Sequence, residues 1–280
     1  MINSKTKLIC LLGHPVGHSK SPEMQNVALE LDEINAKYMA FDVKPENLKE
    51  AVEGLKAVNF MGANVTIPHK ENIMKYVDEL TEEARNIGAV NTLYIKKGKL
   101  IGDNTDGRGF ILSLMEDGGF DPKDKKILIL GAGGAAKAIS TKLVMEEARE
   151  LNIFDLDEQK SEMITDNIKK INVKTEIKII KKCEIEEIAK SVDLIVNCTP
   201  VGMKESDPLL LNGNVFSEKQ LVFDLIYNPK KTKLLLEAEK KGAKILNGLG
   251  MLVYQGALSF EKWTGKKPNS NKMKNKIEGE

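Results

Sequence analysis

The chain has 280 residues, 41% of them hydrophobic and 30% charged, and single cores stop growing at about 250–300 residues, so two cores are expected. Its 42 basic and 41 acidic side chains leave a formal charge of +1, without the basic surplus that a nucleic-acid or anionic-membrane binder uses to displace counterions. Cys10, Cys183 and Cys198 lie far apart with no CxxC or Cys/His spacing, so neither a disulfide framework nor a metal site is expected.

Met1–Lys7 is polar, the apolar run Leu8–Leu12 ends at Gly13, and no window reaches the ~18–20 apolar residues of a membrane span. A cytoplasmic protein is expected. Lys7–Leu12 suits a buried strand. Ser21-Pro22 has the form of an N-cap followed by proline at the first helical position, with Met24, Val27, Ala28 and Leu31 following at helical spacing. Tyr38–Val43 alternates like a strand, and Pro45 opens a helix carrying Leu48, Val52 and Leu55. Ala63–Ile67 is a third strand, and Pro68 starts the next helix, with Lys70 near its beginning. Thr92–Ile95 and Leu100-Ile101 flank Lys96–Lys99, a hairpin turn.

Thr105–Gly118 reads as a connecting helix into a second part. There Lys126–Leu130, Asn152–Phe154, Glu176–Ile180, Leu194–Val196, Leu221–Leu225 and Lys244–Leu246 are short apolar runs, mostly separated by helical segments. Such alternation predicts a parallel sheet covered on both faces. Met251–Trp263 is a long apolar helix returning to the first part. Gly265–Glu280 holds five lysines, three asparagines and one proline, and reads as a solvated, partly frayed terminus.

Between the Lys126–Leu130 strand and its helix stand Gly131, Ala132, Gly133, Gly134, Ala135 and Ala136. In that context the first glycine permits a tight turn, the second removes a side chain where backbone approaches a pyrophosphate, and the helix N-terminus faces the phosphates. The bland alternative is a glycine-rich turn with no ligand. Asp155 lies 24 residues after Gly131, close to the ~20 usual for a carboxylate that accepts from the adenosine ribose. A carboxylate there repels a 2′-phosphate, no arginine follows Arg149, and Lys160 is the nearest cation downstream, a pattern that favours NAD over NADP.

In the first part, polar loops follow the strands: Gly13–Ser21, Gly62–Lys70, Gly88–Thr92 and Gly102–Gly107. Open α/β sheets bind ligands beyond strand C-termini. Hydroxyls from Ser19, Ser21 and Thr66, the Asn91 amide, Lys70 and Asp106 suit a small polyhydroxylated acid, with Lys70 and Asp106 able to move a proton. Bland readings stand beside these: Ser21 as a helix cap, Lys70 as one surface lysine among many, Asn91 and Asp106 as loop residues holding backbone groups. His14 and His18, four apart in a Gly-Pro loop, do not make a metal site.

The segments HSKSP at 18–22, GANVTIPHK at 62–70, GAVNTL at 88–93, GDNTDG at 102–107, GAGGA at 131–135 and GLGMLVYQG at 248–256 together resemble the shikimate dehydrogenase family, in its order and over nearly the whole chain. The resemblance implies an α/β protein of two domains with a cleft between them. Residues 1–104 plus 248–280 would form the substrate-binding and catalytic domain, and 105–247 a Rossmann-type doubly wound dinucleotide domain. It implies reversible reduction of 3-dehydroshikimate to shikimate with NADP or NAD, on the route to chorismate and aromatic amino acids. Ser19 and Ser21 would hold the substrate carboxylate. Thr66, Asn91 and Gln255 would hold ring hydroxyls, Tyr227 would close over the site, and Lys70 with Asp106 would be the catalytic pair. Asn197-Cys198-Thr199-Pro200 and Gly250-Met251, with Gly248 beside them, would lie along the nicotinamide.

Two features depart from the family's usual NADP pattern. Its NADP users commonly carry Asn-Arg-Thr after the second Rossmann strand, where this chain has Asp155-Leu156-Asp157. The segments SPEMQN at 21–26, EGLKA at 53–57 and YNPKKTKLL at 227–235 resemble the NAD-tolerant quinate/shikimate branch, whereas Val65-Thr66 and Asp103 follow the shikimate-specific pattern. A non-catalytic ligand-binding sensor on the same fold is the alternative of another class. It would be free to lose the proton-transfer pair, and both members are present. The expected partners are a small-molecule substrate and at most a second copy of the chain.

Overall fold

The structure, a computed structural model, describes residues 2–171 and 174–279. The chain splits into two compact units, Met1–Thr105 with Val253–Glu280, and Asp106–Leu252.

Unit 1 is built on a six-stranded sheet. Strands β1 (Lys7–Gly13), β2 (Ala36–Asp42) and β3 (Gly62–Val65) are parallel, with β1 between the other two. β1 reads as a continuous apolar run because both of its faces are covered. Ile9 and Leu11 enter one cluster with Met24, Ala28, Val253 and Phe260, while Cys10 and Leu12 enter another with Leu48, Val52 and Leu93. The Cys10 thiol is pushed up to about 12 by that burial. Strand β4 (Glu79–Leu80) lies at the far edge. β5 (Thr92–Lys96) and β6 (Lys99–Asp103) form the expected hairpin, whose Lys97 and Gly98 both take positive φ, as a two-residue type I′ turn requires. β5 runs antiparallel to β3, so it enters the sheet at the edge where β1 and β3 end, and β6 leaves there. That reversal brings the ends of β1, β3 and β6 and the start of β5 to one sheet edge.

Helices α1 (Ser21–Leu31) and α2 (Leu48–Ala57) cover the sheet, and α3 (Glu82–Ile87) is capped by Thr81, whose hydroxyl accepts from Ala84 N (3.2 Å). Three expectations change here. α1 begins at Ser21 itself, so Ser21 is its first helical residue and not its N-cap. No α-helix begins at Pro68: residues 67–71 form a turn that leads into a 3₁₀ helix, Asn72–Tyr76. A tertiary partner takes up the backbone there, Val90 N donating to Lys70 O (2.8 Å), while Ile73 N bonds locally to His69 O (2.9 Å). The lysine-rich terminus is not frayed. It forms α10 (Ser270–Glu278), capped by Asn269 accepting from Lys272 N (3.0 Å), and packs against α1 with Met273 fully buried.

Unit 2 opens with α4 (Asp106–Leu112), which continues as a π-turn through Asp117. Its strands β7 (Lys126–Leu130), β8 (Glu150–Phe154), β9 (Glu176–Ile179), β10 (Leu194–Asn197), β11 (Leu221–Asp224) and β12 (Lys244–Asn247) are all parallel, ordered β9-β8-β7-β10-β11-β12. That is the doubly wound dinucleotide-fold order, with strand order reversing between β7 and β10. Helices α5 (Gly134–Met145), α6 (Glu158–Lys169), α7 (Ile185–Ser191) and α8 (Lys233–Lys240) return the chain, and two apolar clusters flank the sheet. Ile127 and Ile129 lie in one, Leu128 and Leu130 in the other. α9 (Leu249–Thr264) carries the chain from unit 2 into unit 1, where Trp263 Nε1 donates to Leu93 O (2.9 Å). Among the described residues no helix is long and apolar enough to cross a membrane.

Candidate active site

The loops at the crowded edge of unit 1 start from β1. A Cβ on Gly13 would sit 2.3 Å from Thr66 Cγ2 and 2.7 Å from Val16 Cγ1, so only glycine lets the β1 and β3 loops meet. The meeting is locked on Val43, whose N–H donates to Gly13 O (2.9 Å) and whose carbonyl accepts from His69 Nε2 (2.6 Å). His69 is fully buried, and its side chain ties the 67–71 turn, with half-buried Lys70, to that peptide. Ser19 is half-buried, and its Oγ accepts from Ser21 N (3.2 Å), the work a capping side chain would do for α1. Ser21 is buried at the start of the helix.

Asn91 sits at the entry of β5 inside a buried polar network. Its Oδ1 accepts from Thr105 N (2.8 Å) and Thr92 Oγ1 (2.8 Å), and its Nδ2 donates to Thr105 Oγ1 (2.9 Å) and Gln255 Oε1 (3.3 Å). Behind it, Asn64 accepts from Tyr38 Oη (2.9 Å) and donates to Asn91 O (3.1 Å) and Ser259 Oγ (3.0 Å). Burial pushes the Tyr38 phenol well above its ordinary range. The network fixes the side chains of Asn91 and Gln255 in an interior where a mobile amide would be costly. Asp103, buried at the end of β6, accepts from Thr81 Oγ1 (2.7 Å) and Asn104 N (2.9 Å) and pairs with Lys262 (3.3 Å), so the segment just before Asp106 is held from three sides.

In unit 2 the reversal of strand order lies between β7 and β10, and there Gly131 has φ +95°. A Cβ on it would stand 2.8 Å from Thr199 Cγ2. Gly133 and Gly134 differ. A Cβ at either would meet nothing within 4 Å, and Gly133 is exposed with φ −80°, a conformation open to any residue. The protein therefore gives no steric or conformational reason for glycine at 133 and 134, whereas a close-lying diphosphate does. The first-turn N–H groups of α5, which have no intrahelical acceptor, open onto the same place. The residues present fit a dinucleotide.

Asp155 also supports the turn itself. Its Oδ2 accepts from Ala132 N (2.6 Å) and its Oδ1 from Asp157 N (2.9 Å), so the carboxylate pins the glycine turn to the end of β8. Leu156 beside it is 88% exposed, and Lys160 pairs with Asp157 (3.7 Å). Thr199 is held by Asn197, whose Oδ1 accepts from Thr199 N (2.9 Å) and Oγ1 (2.7 Å). Tyr227 is half-buried, and burial raises its phenol. A Cβ on Gly248 would collide with Leu225 O at 1.9 Å, and one on Gly250 with Asp117 Oδ2 at 2.1 Å, so close packing explains both glycines. Met251 is buried in the cluster with Phe110 and Leu114. Asp106 is buried at the start of α4.

Three family models match the chain in sequence: the shikimate dehydrogenase substrate binding domain over residues 11–93, shikimate / quinate 5-dehydrogenase over 114–227, and the shikimate 5'-dehydrogenase C-terminal domain over 248–278. Shikimate dehydrogenase (NADP(+)) of Methanocaldococcus jannaschii is 47% identical over 280 residues, covering 99% of this chain and 98% of that protein. Its counterpart from Methanopyrus kandleri is 47% identical over 267 residues, covering 94% and 92%. The chain belongs to the shikimate dehydrogenase family. Among solved structures, shikimate 5-dehydrogenase from Listeria monocytogenes in complex with shikimate and NAD superimposes with a TM-score of 0.92 at 36% identity, covering 99% of this chain and 98% of that one.

Within a shikimate dehydrogenase frame, unit 1 brings Ser19, Ser21, Thr66, Lys70, Asn91 and Gln255 to its loop edge and the helix beside it. Unit 2 gathers Gly131–Ala135, Asp155 and Thr199 at its β7/β10 edge, with Asp106, Tyr227, Gly248 and Met251 elsewhere in the same unit. Sequence reasoning passed over the supports: His69, Asn64, Ser259, Asp224 and Thr232. His69 and Asn64 stood inside a quoted motif but carried no spacing signal of their own.

Proposed function

We propose that the chain catalyses the reversible reduction of 3-dehydroshikimate to shikimate with a nicotinamide cofactor. What carries the reading is the furnishing of the unit 1 loop edge with hydroxyls, amides and a lysine, in a chain nearly half identical, end to end, to curated shikimate dehydrogenases. Residues 1–104 plus 248–280 take the substrate and 105–247 the dinucleotide, a division supported by the spans of the three family models, although the boundary between the compact units falls after Leu252 and leaves Gly248 and Met251 in unit 2. Ser19 and Ser21 bind the carboxylate, Thr66, Asn91 and Gln255 bind ring hydroxyls, and Tyr227 is a further substrate-binding residue.

Hydride exchange with the ring carbon is the chemistry a bound nicotinamide supplies. Lys70, with Asp106 as its partner carboxylate, gives the proton to the carbonyl oxygen during reduction and takes it from the hydroxyl during oxidation. The backbone of Gly131–Ala135 holds the pyrophosphate, and Thr199, Gly248 and Met251 border the nicotinamide half. NADP is the cofactor named for the curated relatives. The Asp155-Leu156-Asp157 turn, lacking an arginine to clamp a 2′-phosphate, supports turnover with NAD as well.

Initial rates with shikimate or quinate, each with NAD⁺ or NADP⁺, test this. Shikimate oxidation well above quinate oxidation is expected. Absence of shikimate turnover with both cofactors would overturn the reading and favour the sensor. The proposal includes a homodimer in the cytoplasm, checked by sedimentation against the 31.1 kDa monomer and by cell fractionation.

A further inference from the structure

At the C-terminal edge of unit 2, Asp224 is fully buried at the end of β11 and Asn197 fully buried at the end of β10. The parallel register sets them side by side, and Asn197 Nδ2 donates to Asp224 Oδ1 (3.0 Å). Asp224 also accepts from Ile226 N (3.0 Å) and from Thr232 Oγ1 (2.6 Å), so all three of these partners are donors. Burial raises this carboxyl, against the lowering by those hydrogen bonds. A carboxylate without a cation among these partners is a costly choice for a strand end, and its neighbours show what it does.

An amide can present either end to a neighbour, but a carboxylate accepts only from the NH₂ end. Asp224 therefore reinforces the rotation of the Asn197 amide that Val201 O and Thr199 N also require: Nδ2 faces Asp224 and Val201 O (3.2 Å), and Oδ1 accepts from Thr199 N and Oγ1. Thr199 so held presents its Cγ2 to Gly131. We propose that Asp224 is a positioning residue for the dinucleotide turn, acting through Asn197 and Thr199 to fix the wall on which Gly131 rests. The inference rests on the reading of Gly131–Ala135 as the nucleotide site.

The test compares wild type with Asp224→Asn, Thr232→Val and Thr232→Ser. The readouts are Kd for NADP⁺ and NAD⁺ by calorimetry and KM for shikimate at saturating cofactor. Asp224→Asn removes the anionic acceptor that anchors the 197 amide and should raise both nucleotide Kd values by about tenfold while shikimate KM stays within about twofold. Thr232→Val, which keeps shape and removes the 2.6 Å bond, should raise Kd less, and Thr232→Ser should restore the wild-type value. Nucleotide Kd unchanged in a folded Asp224→Asn protein, or shikimate KM rising in parallel with it, would overturn the inference. Should Asp224→Asn fail to fold, the Thr232 pair decides: equal Kd values for valine and serine would overturn it. Wild type that binds nucleotide without turning over shikimate sinks the proposed activity alone. Wild type that binds no nucleotide sinks both.

Discussion

Where strand order reverses in unit 1, between β1 and β3, Gly13 ends β1 against the methyl of Thr66. Where it reverses in unit 2, Gly131 ends the central strand against the methyl of Thr199. Both joints need glycine because a loop from the neighbouring strand crosses within touching distance. Around the first, the chain supplies side chains: the Ser19 and Ser21 hydroxyls, the Lys70 amine and the Asn91 amide. Around the second it removes them, with Gly133 and Gly134 leaving backbone N–H groups in open space. A small polyhydroxylated acid offers several distinct oxygens, and side chains of different chemistry tell them apart. A diphosphate repeats one chemistry, and N–H groups at a helix end suffice for it. One architecture therefore serves two kinds of recognition, and the difference lies in what stands on the loops.

The comparison breaks most visibly at Lys70. Lys70→Ala should lower kcat by about 10²–10⁴-fold, roughly 3–5 kcal/mol, with little change in KM for shikimate or nucleotide. Steady-state kinetics with both ligands varied decides it. A raised shikimate KM with kcat intact would make Lys70 one more binding group on the unit 1 edge.

Glycine substitutions sharpen the contrast inside unit 2. Gly131→Ala forces a side chain into φ +95° and toward Thr199, and should cost about 1–3 kcal/mol in denaturant unfolding as well as nucleotide affinity. Gly133→Ala meets nothing and needs no unusual φ, so unfolding should move by no more than about 0.5 kcal/mol. Its nucleotide KM should still rise by about tenfold. If Gly133→Ala leaves that KM at the wild-type value, the open turn is not where the diphosphate lies. An effect of similar size, on cofactor preference, is expected at the β8 edge. Leu156 is almost fully exposed, so Leu156→Arg disturbs no core and adds a phosphate-binding fork. The ratio of kcat/KM for NADP⁺ over NAD⁺ should increase by about tenfold.

How much of this the sequence carried depends on how local each signal is. β1 and β7 were legible because a strand covered on both faces is an unbroken apolar run, and the glycine turn because it sits between such a run and a helix. Pro68 misled: its helix-starting signal is local, but the 67–71 turn answers to Val43 and Val90, which no local pattern encodes. α10 was hidden by five lysines, although Met273 and Ile277 stand four apart on one face. Asp155 was found by spacing, yet spacing cannot say that its carboxylate holds Ala132 N. Asn197 and Asp224, 27 residues apart, become neighbours only through the register of two strands.

The smallest effect expected separates the units by the pH dependence of their stability. In unit 1 the exposed Asp78 accepts from Leu100 N (2.7 Å) and pairs with Lys56 (3.1 Å), and these hold its carboxyl below the ordinary value of 3.8. Its contribution is present above 3.8 and fades as pH falls through the lowered folded value. In unit 2 burial holds Asp224 above 3.8, so the folded state keeps that proton longer than the unfolded chain does, and stability from this group declines as pH rises through the window just above 3.8. Urea unfolding of Asp78→Asn and Asp224→Asn against wild type, from pH 3 to pH 6, should therefore give stability differences that slope in opposite directions. The Asp78 difference should grow with rising pH as wild type gains. The Asp224 difference should shrink as wild type loses. Parallel slopes would mean that the buried carboxyl of unit 2 meets a compensating positive charge, and the cation-free latch on Asn197 would have to be redrawn.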